Sequence, residues 1–424
     1  MSALAVTGAE LDGERVGLRA EGGVITELGP GVEAAPGDEA LDGSGTAIVP
    51  GFVNGHTHAA MTLFRGFADD LPLMEWLEEH IWPAERRLQP EDVYWGTRLA
   101  CMEMIRTGTI GFWDMYWQPG ATARAVTDAG LRATIGAPLI DGADPAATEG
   151  LQEAAEAGLA ELEGHDPRIS PALAPHSIYT VSEPSLGWVG ERSRERGLPI
   201  HIHLAETRQE VEDCVDRHGL RPAAYLDRVG LLGSRTLLAH SVWLDDADRE
   251  LIAASGATVV SNPHANLKLA VGGIFDLPAA REAGIPVAIG TDGAGSNNAL
   301  SLLAEAKQFA LLQKHRAGDA AALTAAEALA IARGQWAPLV AGGEAAAHGL
   351  AVGGPADFLL ARKATPALAV GEIDAGLAYA ADSTAIDSTV VAGRVLMRGG
   401  ELTSGDGDEV IARARESASR LGLQ

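Results

Sequence analysis

The amino-acid sequence predicts an α/β fold in which a (β/α)8 TIM barrel carries a small β-sandwich domain formed from both chain ends. Apolar runs of strand length alternate with helical segments through the middle of the 424-residue chain, as is typical of parallel strands linked by helices. Short strands separated by glycine-rich turns occupy the two ends. We therefore expect a β domain from residues 1–49 and 346–424, and a barrel from residues 50–345.

The two ends of the chain share a sequence pattern in which apolar and polar residues alternate and turns follow at short intervals. The N-terminal segments read ALAVTGAEL, RVGLRAEGGVITELG and TAIVPG, and the C-terminal ones read ADFLLAR and STVVAGRVLMRGGEL. Alternation with glycine punctuation favours strands. Ala392-Gly393 sits between two apolar runs and predicts a β-hairpin.

Eight apolar runs in the middle of the chain supply the barrel strands. The first ends at His56, and the others cover residues 108–115, 131–140, 168–176, 198–206, 235–241, 257–263 and 286–293. Helical patterns such as TEGLQEAAEAGLAELEG and DDADRELIAASG separate them. Barrels of this kind keep their chemistry at the carboxyl ends of the strands, so polar residues at those ends are the candidates for function.

The charge balance excludes several classes of partner. Lys and Arg number 32 against 58 Asp and Glu, which gives a formal net charge of −26. Such a chain has no electrostatic attraction for nucleic-acid phosphates or anionic membranes. It shows no apolar run of about 18 residues and no basic leader, so we expect a cytoplasmic protein without a membrane span. Cys101 and Cys214 are expected to be free, buried thiols.

Histidines and one aspartate fall at the ends of several predicted strands. They are His56 and His58 on the first, His176 on the fourth, His203 on the fifth, His240 on the sixth and Asp292 on the eighth. Strand alternation puts His56 and His58 on one face. Imidazole nitrogens with a carboxylate suit Zn²⁺, and a catalytic site leaves one position open. A lone His-x-His could be a packed strand end, but this series predicts a metal site.

Five motifs resemble those of the amidohydrolase superfamily, and most closely its aminohydrolase branch. They are PGFVNGHTHAAMTLFRG, HIHLAET, HSVWL, SNPHANLKL and GTDGAGSNN. That branch includes 5′-methylthioadenosine/S-adenosylhomocysteine deaminases, triazine hydrolases and guanine deaminases. The resemblance spans nearly the whole chain and implies that His56, His58, His203 and Asp292 bind one divalent metal, zinc, with iron as the alternative. It allows a homo-oligomer without specifying one.

The resemblance also implies roles in the chemistry. Glu206 matches the general acid/base of the branch, and His240 matches the residue that polarises the attacking water and the developing oxyanion. Asp292 or Glu206 would relay a proton to departing ammonia. The alternative for Glu206 is a carboxylate at a helix N-terminus that interacts with the helix dipole. We expect His201 to be a packed or supporting side chain rather than a ligand.

The scarcity of lysine bears on the number of metals. Relatives with two metals bridge them with a carboxylated lysine from a middle strand. This chain has only four lysines, and the first of them is Lys268. The predicted centre is therefore mononuclear.

The predicted substrate is a small-molecule nucleoside, which the enzyme would deaminate hydrolytically. By resemblance, Trp76 lines the pocket, Glu85 accepts the ribose hydroxyls, His176 contacts the purine or ribose, and Ser296 also touches the ligand. The alternatives are a helix-core role for Trp76 and a solvated helix carboxylate for Glu85.

One difference from the sequence pattern of this branch narrows the range of expected substrates. Members that accept S-adenosylhomocysteine carry an arginine after the third strand, whereas no Lys or Arg occurs here from Ala133 to Pro167. We therefore expect 5′-methylthioadenosine, 5′-deoxyadenosine or adenosine to be preferred over S-adenosylhomocysteine. One alternative is hydrolysis of another amino- or halo-heterocycle, such as a triazine, guanine or a pterin. A non-catalytic amidohydrolase-like protein is disfavoured, because all four ligands are retained.

Overall fold

The N-terminal strands of the protein begin a sheet that the C-terminus completes. The computed structural model describes residues 3–423, apart from the side chains of residues 344 and 345. The first five strands are β1 (Leu4–Leu11), β2 (Glu14–Glu21), β3 (Val24–Gly29), β4 (Glu39–Asp42) and β5 (Thr46–Pro50). β1 pairs with β2 antiparallel and with β4 parallel.

A ring of parallel strands forms the middle of the molecule. Its strand segments are β6 (Phe52–Thr57), β7 (Thr109–Met115), β8 (Arg132–Gly136), β9 (Pro138–Leu139), β10 (Ile169–Pro171), β11 (Ala174–Pro175), β12 (Ile200–Leu204), β13 (Thr236–His240), β14 (Thr258–Ser261) and β15 (Val287–Ile289). The ladders run in the order β10-β8-β7-β6 and β12-β13-β14-β15, with β9 on β11.

Short contacts close the ring. Parallel bridges join Leu173 to Ile200 and Ser177 to His203, between the fourth and fifth strands. The backbone N–H groups of Thr291 and Asp292 donate to the carbonyl of His56 at 3.1 and 3.0 Å, and so join the eighth strand to the first. The predicted barrel is confirmed.

Two predicted strands are each divided in two. The run 131–140 forms β8 and β9, and the run 168–176 forms β10 and β11. Pro138, Pro171 and Pro175 lie in these segments. Proline has no N–H to donate to a ladder, so continuous pairing is interrupted there.

The C-terminal strands pair with the N-terminal ones. They are β16 (Phe358–Arg362), β17 (Ile386–Val391), β18 (Arg394–Arg398) and β19 (Glu401–Leu402). The sheet runs β19-β18-β17-β16-β5-β1-β2-β3, with β4 beside β1. The predicted hairpin at Ala392-Gly393 is confirmed, because the φ angles of 50° and 71° are those of a two-residue turn between β17 and β18. This sheet has its own apolar core, which includes Leu18 and Phe358.

Helices cover the barrel and follow most of its strands. They are α1 (Leu73–Glu75), α2 (Trp82–Glu85), α3 (Pro90–Arg106), α4 (Pro119–Ala129), α5 (Thr148–Glu161), α6 (Glu183–Arg196), α7 (Arg208–His218), α8 (Pro222–Arg228), α9 (Asp246–Ser255), α10 (Pro263–Lys268), α11 (Leu277–Ala283), α12 (Leu302–Ala317), α13 (Ala325–Ala332), α14 (Pro338–Ala341), α15 (Glu344–Ala347), α16 (Ile373–Tyr379) and α17 (Gly407–Leu421). Their ends carry ordinary caps: the Asp245 carboxylate accepts the Asp248 N–H at 2.9 Å at the start of α9, and Gly256 ends it with φ 76°. In the described part of the chain, no helix is both long and apolar enough to cross a membrane.

The loop after the first barrel strand forms one wall of the barrel mouth. It contains a 3₁₀ helix, Ala59–Phe64, and a π-helix, Trp76–Ile81, that joins α1 to α2. Single π-helical turns within helices are frequent at functional sites. Trp76 is 5% exposed and belongs to an apolar cluster with Phe64 and Tyr116.

Candidate metal and active site

Histidines from different strands converge at the carboxyl end of the barrel. One ring nitrogen of each of His56, His58 and His203 lies within 4.8 Å of the others, and the same holds for His56, His240 and one carboxylate oxygen of Asp292. Asp292 Oδ1 is 3.3 Å from His56 Nε2 and 3.2 Å from His58 Nε2. The four predicted ligands therefore come together, with His240 beside them.

Hydrogen bonds behind the rings determine which nitrogen faces the centre. His58 Nδ1 donates to the carbonyl of Met115 at 2.6 Å, and His203 Nδ1 donates to the carbonyl of His176 at 2.7 Å. A carbonyl can only accept, so Nδ1 carries the proton and the Nε2 lone pair is free for a metal.

The donor set fits a divalent metal. His56 Nε2 is fully buried and has no hydrogen-bond partner. A buried imidazole nitrogen without a partner is costly unless something else satisfies it. Three imidazoles and one carboxylate are also the chemistry that zinc sites use.

Burial and charge set the protonation of these groups. Burial lowers the pKa of His56 to about 3, and it holds the pKa of His203 well below its usual range. Burial also lowers the pKa of His58, but the hydrogen bond and charge of Asp292 outweigh it and raise that pKa to about 9. For Asp292, the contacts with His56 and His58 and the charge of His58 outweigh burial and hold its pKa well below the usual range. His58 and Asp292 thus form an ion pair without a metal, and a divalent ion would displace the proton on His58 Nε2 and supply the positive charge instead.

The backbone at this end of the barrel adopts unusual conformations. Ala205, His240, Ser241 and Asp292 are non-glycine residues with φ of 49°, 67°, 51° and 59°. Residues held in this left-handed region cost on the order of 1–3 kcal/mol each and cluster at functional sites. Here they occur directly after the fifth strand, at the end of the sixth and after the eighth, where candidate side chains turn into the barrel mouth.

Glu206 lies at this mouth next to His240. Its Oε1 is 3.6 Å from His240 Nδ1, which donates to Asn266 Oδ1 at 2.8 Å. Glu206 is only 6% exposed, and burial raises the pKa of its carboxyl. A carboxyl whose pKa is raised towards neutral can both take up and release a proton.

Several supporting residues were not identified from the sequence. The Glu210 carboxylate accepts the N–H groups of Ala205 and Glu206 at 2.8 and 2.9 Å and so fixes the turn that presents Glu206. Asn266 orients His240, and Asp114 accepts the N–H of Ala59 beside His58 at 2.7 Å. Of these supporting residues, only Glu210 could have been found from the local sequence, because ETRQE places a second glutamate four residues after Glu206.

His201 lies behind His56 rather than in the ligand cluster. Its Nε2 is 2.7 Å from His56 Nδ1, and its ring meets Trp113 edge-on with centroids 5.8 Å apart. Its Nδ1 has no hydrogen-bond partner. His201 therefore contacts a candidate ligand from the side away from the centre.

A cavity opens above the cluster. The predicted substrate contacts all line it: Trp76, Glu85, His176 and Ser296.

Hydrogen bonds and burial set the state of these lining residues. Trp117 Nε1 donates to Glu85 Oε2 at 3.0 Å, and burial raises the pKa of the Glu85 carboxyl. Ser296 Oγ donates to Asp292 Oδ2 at 2.6 Å, so this hydroxyl also supports a candidate ligand. Burial lowers the pKa of His176 to about 3, which leaves a neutral ring facing the cavity.

The lining of the cavity combines apolar side chains with carboxylates. Leu73, Leu77, Ile81, Trp82 and Leu269 contribute to the apolar wall, whereas Glu85, Glu206 and Asp292 contribute carboxylates. No lysine or arginine is among the described residues that line it. The arrangement suits a flat, neutral molecule with hydroxyl groups near Glu85 and a reacting carbon near Glu206.

Sequence comparisons with known proteins place the chain among hydrolases of one family. The sequence model of the amidohydrolase family matches residues 47–396. The 5′-deoxyadenosine deaminase of Methanoregula boonei is 46% identical over 90% of this chain and 86% of its own length. The 5-methylthioadenosine/S-adenosylhomocysteine deaminase 1 of Archaeoglobus fulgidus is 41% identical over 95% of this chain and 94% of its own.

Solved structures agree on the fold. An adenosine deaminase from Xanthomonas campestris with bound zinc superimposes with a TM-score of 0.92 at 34% identity, over 100% of this chain and 99% of its own. An atrazine chlorohydrolase from Arthrobacter aurescens with zinc reaches 0.87 at 19% identity, over 98% and 100% of the two chains. At that identity the second likeness concerns the fold alone.

Proposed function

The chain belongs to the amidohydrolase family, and on that basis we propose that it is a metal-dependent deaminase of adenosine-type nucleosides. It replaces the amino group of the purine ring by oxygen and releases ammonia. The observation that carries the proposal is the buried Glu206, which lies with His240 beside the four candidate metal ligands under a cavity lined by Trp76 and Glu85. The activities for which the relatives are named support the same reaction.

His56, His58, His203 and Asp292 hold the metal, and zinc suits this donor set, with iron as the alternative. When bound, the metal supplies a Lewis acid that makes water nucleophilic at neutral pH. The lack of any lysine before Lys268 supports a single metal, because no middle strand can provide a bridging carboxylated lysine.

The protons are moved by side chains of this chain. Glu206 takes one proton from the attacking water and delivers it to a ring nitrogen, while the water oxygen bonds to the carbon that carries the amino group. Asp292 passes the second proton to the amino group, which leaves as ammonia as the C–N bond breaks. His240, oriented by Asn266, stabilises the oxyanion that develops, a contact typically worth about 3 kcal/mol.

Replacement of the proposed proton carrier tests this assignment. Glu206→Gln should retain the metal and lose turnover by at least about a hundredfold, because an amide cannot transfer the proton. The measurement is ammonia release from adenosine, with metal quantified on the same sample. Glu212→Gln, an exposed change on the following helix, is the matched control. A near-wild-type rate for Glu206→Gln would remove it from the mechanism.

The charge of the cavity supports a preference for neutral 5′ substituents. S-adenosylhomocysteine carries a carboxylate in its amino-acid tail, and the described lining offers no lysine or arginine to pair with it. The carboxylates that do line the cavity are those of Glu85, Glu206 and Asp292. A carboxylate-bearing tail would therefore meet like charge.

A substrate panel measures that preference. We expect kcat/KM for 5′-methylthioadenosine, 5′-deoxyadenosine and adenosine to exceed that for S-adenosylhomocysteine by about tenfold or more, which corresponds to about 1.4 kcal/mol. A higher value for S-adenosylhomocysteine would contradict it. Guanine, a pterin and a triazine in the same panel test the alternative that another heterocycle is the substrate.

A further inference from the structure

A second cavity lies at the opposite end of the barrel from the candidate active site. Residues from the amino ends of β6, β7, β8 and β10 line it. Val53 lies in its wall, three residues before His56 on the same strand. At a rise of about 3.3 Å per residue, that places it roughly 10 Å below the metal ligands. We call it the amino-end cavity.

The charge of this cavity is opposite to that of the chain as a whole. Arg132, Arg168 and Arg333 line it, and Asp357 is the one carboxylate among the described lining residues. Arg132 and Asp357 form a bidentate pair at 2.7 and 3.2 Å. Arg168 is held by Asp166, with two contacts of 2.8 Å. The first two arginines therefore have matched carboxylates.

Arg333 is less well compensated. Its side chain is 8% exposed, and its contact with Asp374 is long, at 3.4 Å. Its Nε is buried without a hydrogen-bond partner. Burial lowers the pKa of the guanidinium, and Asp374 opposes this shift. Arginine nevertheless stays protonated in proteins, so the cavity wall contains a cation whose contact with its carboxylate is long.

The remaining wall is largely apolar. Val53, Ile110, Phe112, Trp113 and Pro355 contribute to it. A guanidinium pairs best with a planar carboxylate or with a phosphate group, through charge-assisted hydrogen bonds. A wall of this kind favours a ligand whose charged group is attached to an apolar body.

We propose that the amino-end cavity binds a small organic oxyanion, a carboxylate or a phosphate ester with an apolar body, and that Arg333 anchors its charge. This site is separate from the active site and does not depend on the substrate proposed above. The apolar residues of the wall hold the body of the ligand, and the oxyanion accepts hydrogen bonds from the guanidinium.

Calorimetric titration of the metal-loaded protein tests the site. The probes are benzoate and phenyl phosphate, which share a body and differ in the oxyanion, and inorganic phosphate, which has no body. We expect one equivalent of a phenyl probe to bind with a Kd below about 1 mM, and phosphate to bind at least tenfold more weakly. The phenyl probe that binds more tightly identifies the oxyanion. No saturable binding of either phenyl probe overturns the proposal, as does equal affinity for inorganic phosphate.

Two variants separate this site from the metal centre, where anions could also bind. Arg333→Met removes the anchoring charge, and Ser170→Glu adds a carboxylate at an exposed lining position without altering a buried group. Each should weaken binding at least tenfold. Arg281→Met, which removes an arginine outside the cavity that lies over Trp336, should leave it unchanged. Unchanged binding in Ser170→Glu overturns the proposal even if Arg333→Met does not fold.

Discussion

Side chains behind the candidate ligands control how the histidine rings are presented. His201 Nε2 is 2.7 Å from His56 Nδ1, and backbone carbonyls accept from His58 and His203. Such outer partners fix the tautomer and the orientation of a ligating ring. A substitution of His201 should therefore change the affinity for the metal more than the affinity for the substrate.

Replacing His201 tests this effect. His201→Phe should lower metal affinity by about tenfold or more, because His56 Nδ1 loses its buried partner and the ring loses its fixed tautomer. Competition with a chromophoric chelator measures the affinity. His315→Phe, at an exposed position of α12, is the control, and equal affinities for the two variants would argue against this role.

At the scale of elements, one lysine joins three loops at the barrel mouth. Lys268 Nζ, at the end of α10, donates to Asp69 Oδ1 at 2.7 Å, Asn298 Oδ1 at 2.9 Å and the Gly295 carbonyl at 3.0 Å. Asn298 Nδ2 also donates to Asp69 Oδ2 at 2.8 Å. These bonds tie the loop that carries Trp76 to the loops after the seventh and eighth strands. The wall of the substrate cavity is therefore held by contacts outside the cavity.

Breaking this connection should affect substrate binding more than chemistry. We expect Lys268→Met to raise KM for adenosine several-fold with a smaller change in kcat, since the loop must then be ordered by the substrate itself. Steady-state kinetics with metal-saturated protein measure both constants. The exposed Lys307→Met removes the same charge elsewhere. An unchanged KM, or a loss confined to kcat, would show that the three loops are held independently of Lys268.

At the scale of the whole molecule, the excess negative charge opposes folding. The net charge of −26 is distributed over one compact chain, and self-repulsion of this kind destabilises the folded state. Ion pairs such as Arg192 with Glu156 at 2.6 Å and Lys363 with Glu10 at 2.5 Å offset part of it. Exposed pairs of this type contribute little individually.

Screening of the net charge gives a measurable result. Raising NaCl from about 0.02 M to about 0.5 M shortens the Debye length to below about 5 Å, so we expect the thermal unfolding midpoint to rise. Scanning calorimetry at constant pH measures it, and KCl at equal ionic strength should reproduce the shift. A midpoint that falls with salt would mean that attractive pairs outweigh the repulsion.

The sequence by itself determined the barrel and the polar residues at its strand ends, and the family resemblance selected the candidate ligands among them. The eight apolar runs and the end positions of His56, His58, His203 and Asp292 are local properties, because strand alternation fixes the face of each residue and a parallel barrel brings all strand ends to one mouth. Glu206 and the predicted contacts of the cavity, Trp76 among them, were predicted from the resemblance of sequence motifs to those of the family, which requires no information about packing.

Only the tertiary structure decided which side chains support that set. The contact of His201 with His56 spans 145 residues, and that of Lys268 with Asp69 spans 199. Such pairs leave no local pattern, because they form only when the closed barrel brings distant loops together. The same holds for Arg333, an arginine that resembles any other in the sequence. Its incomplete pairing is a consequence of the cavity into which the fold buries it.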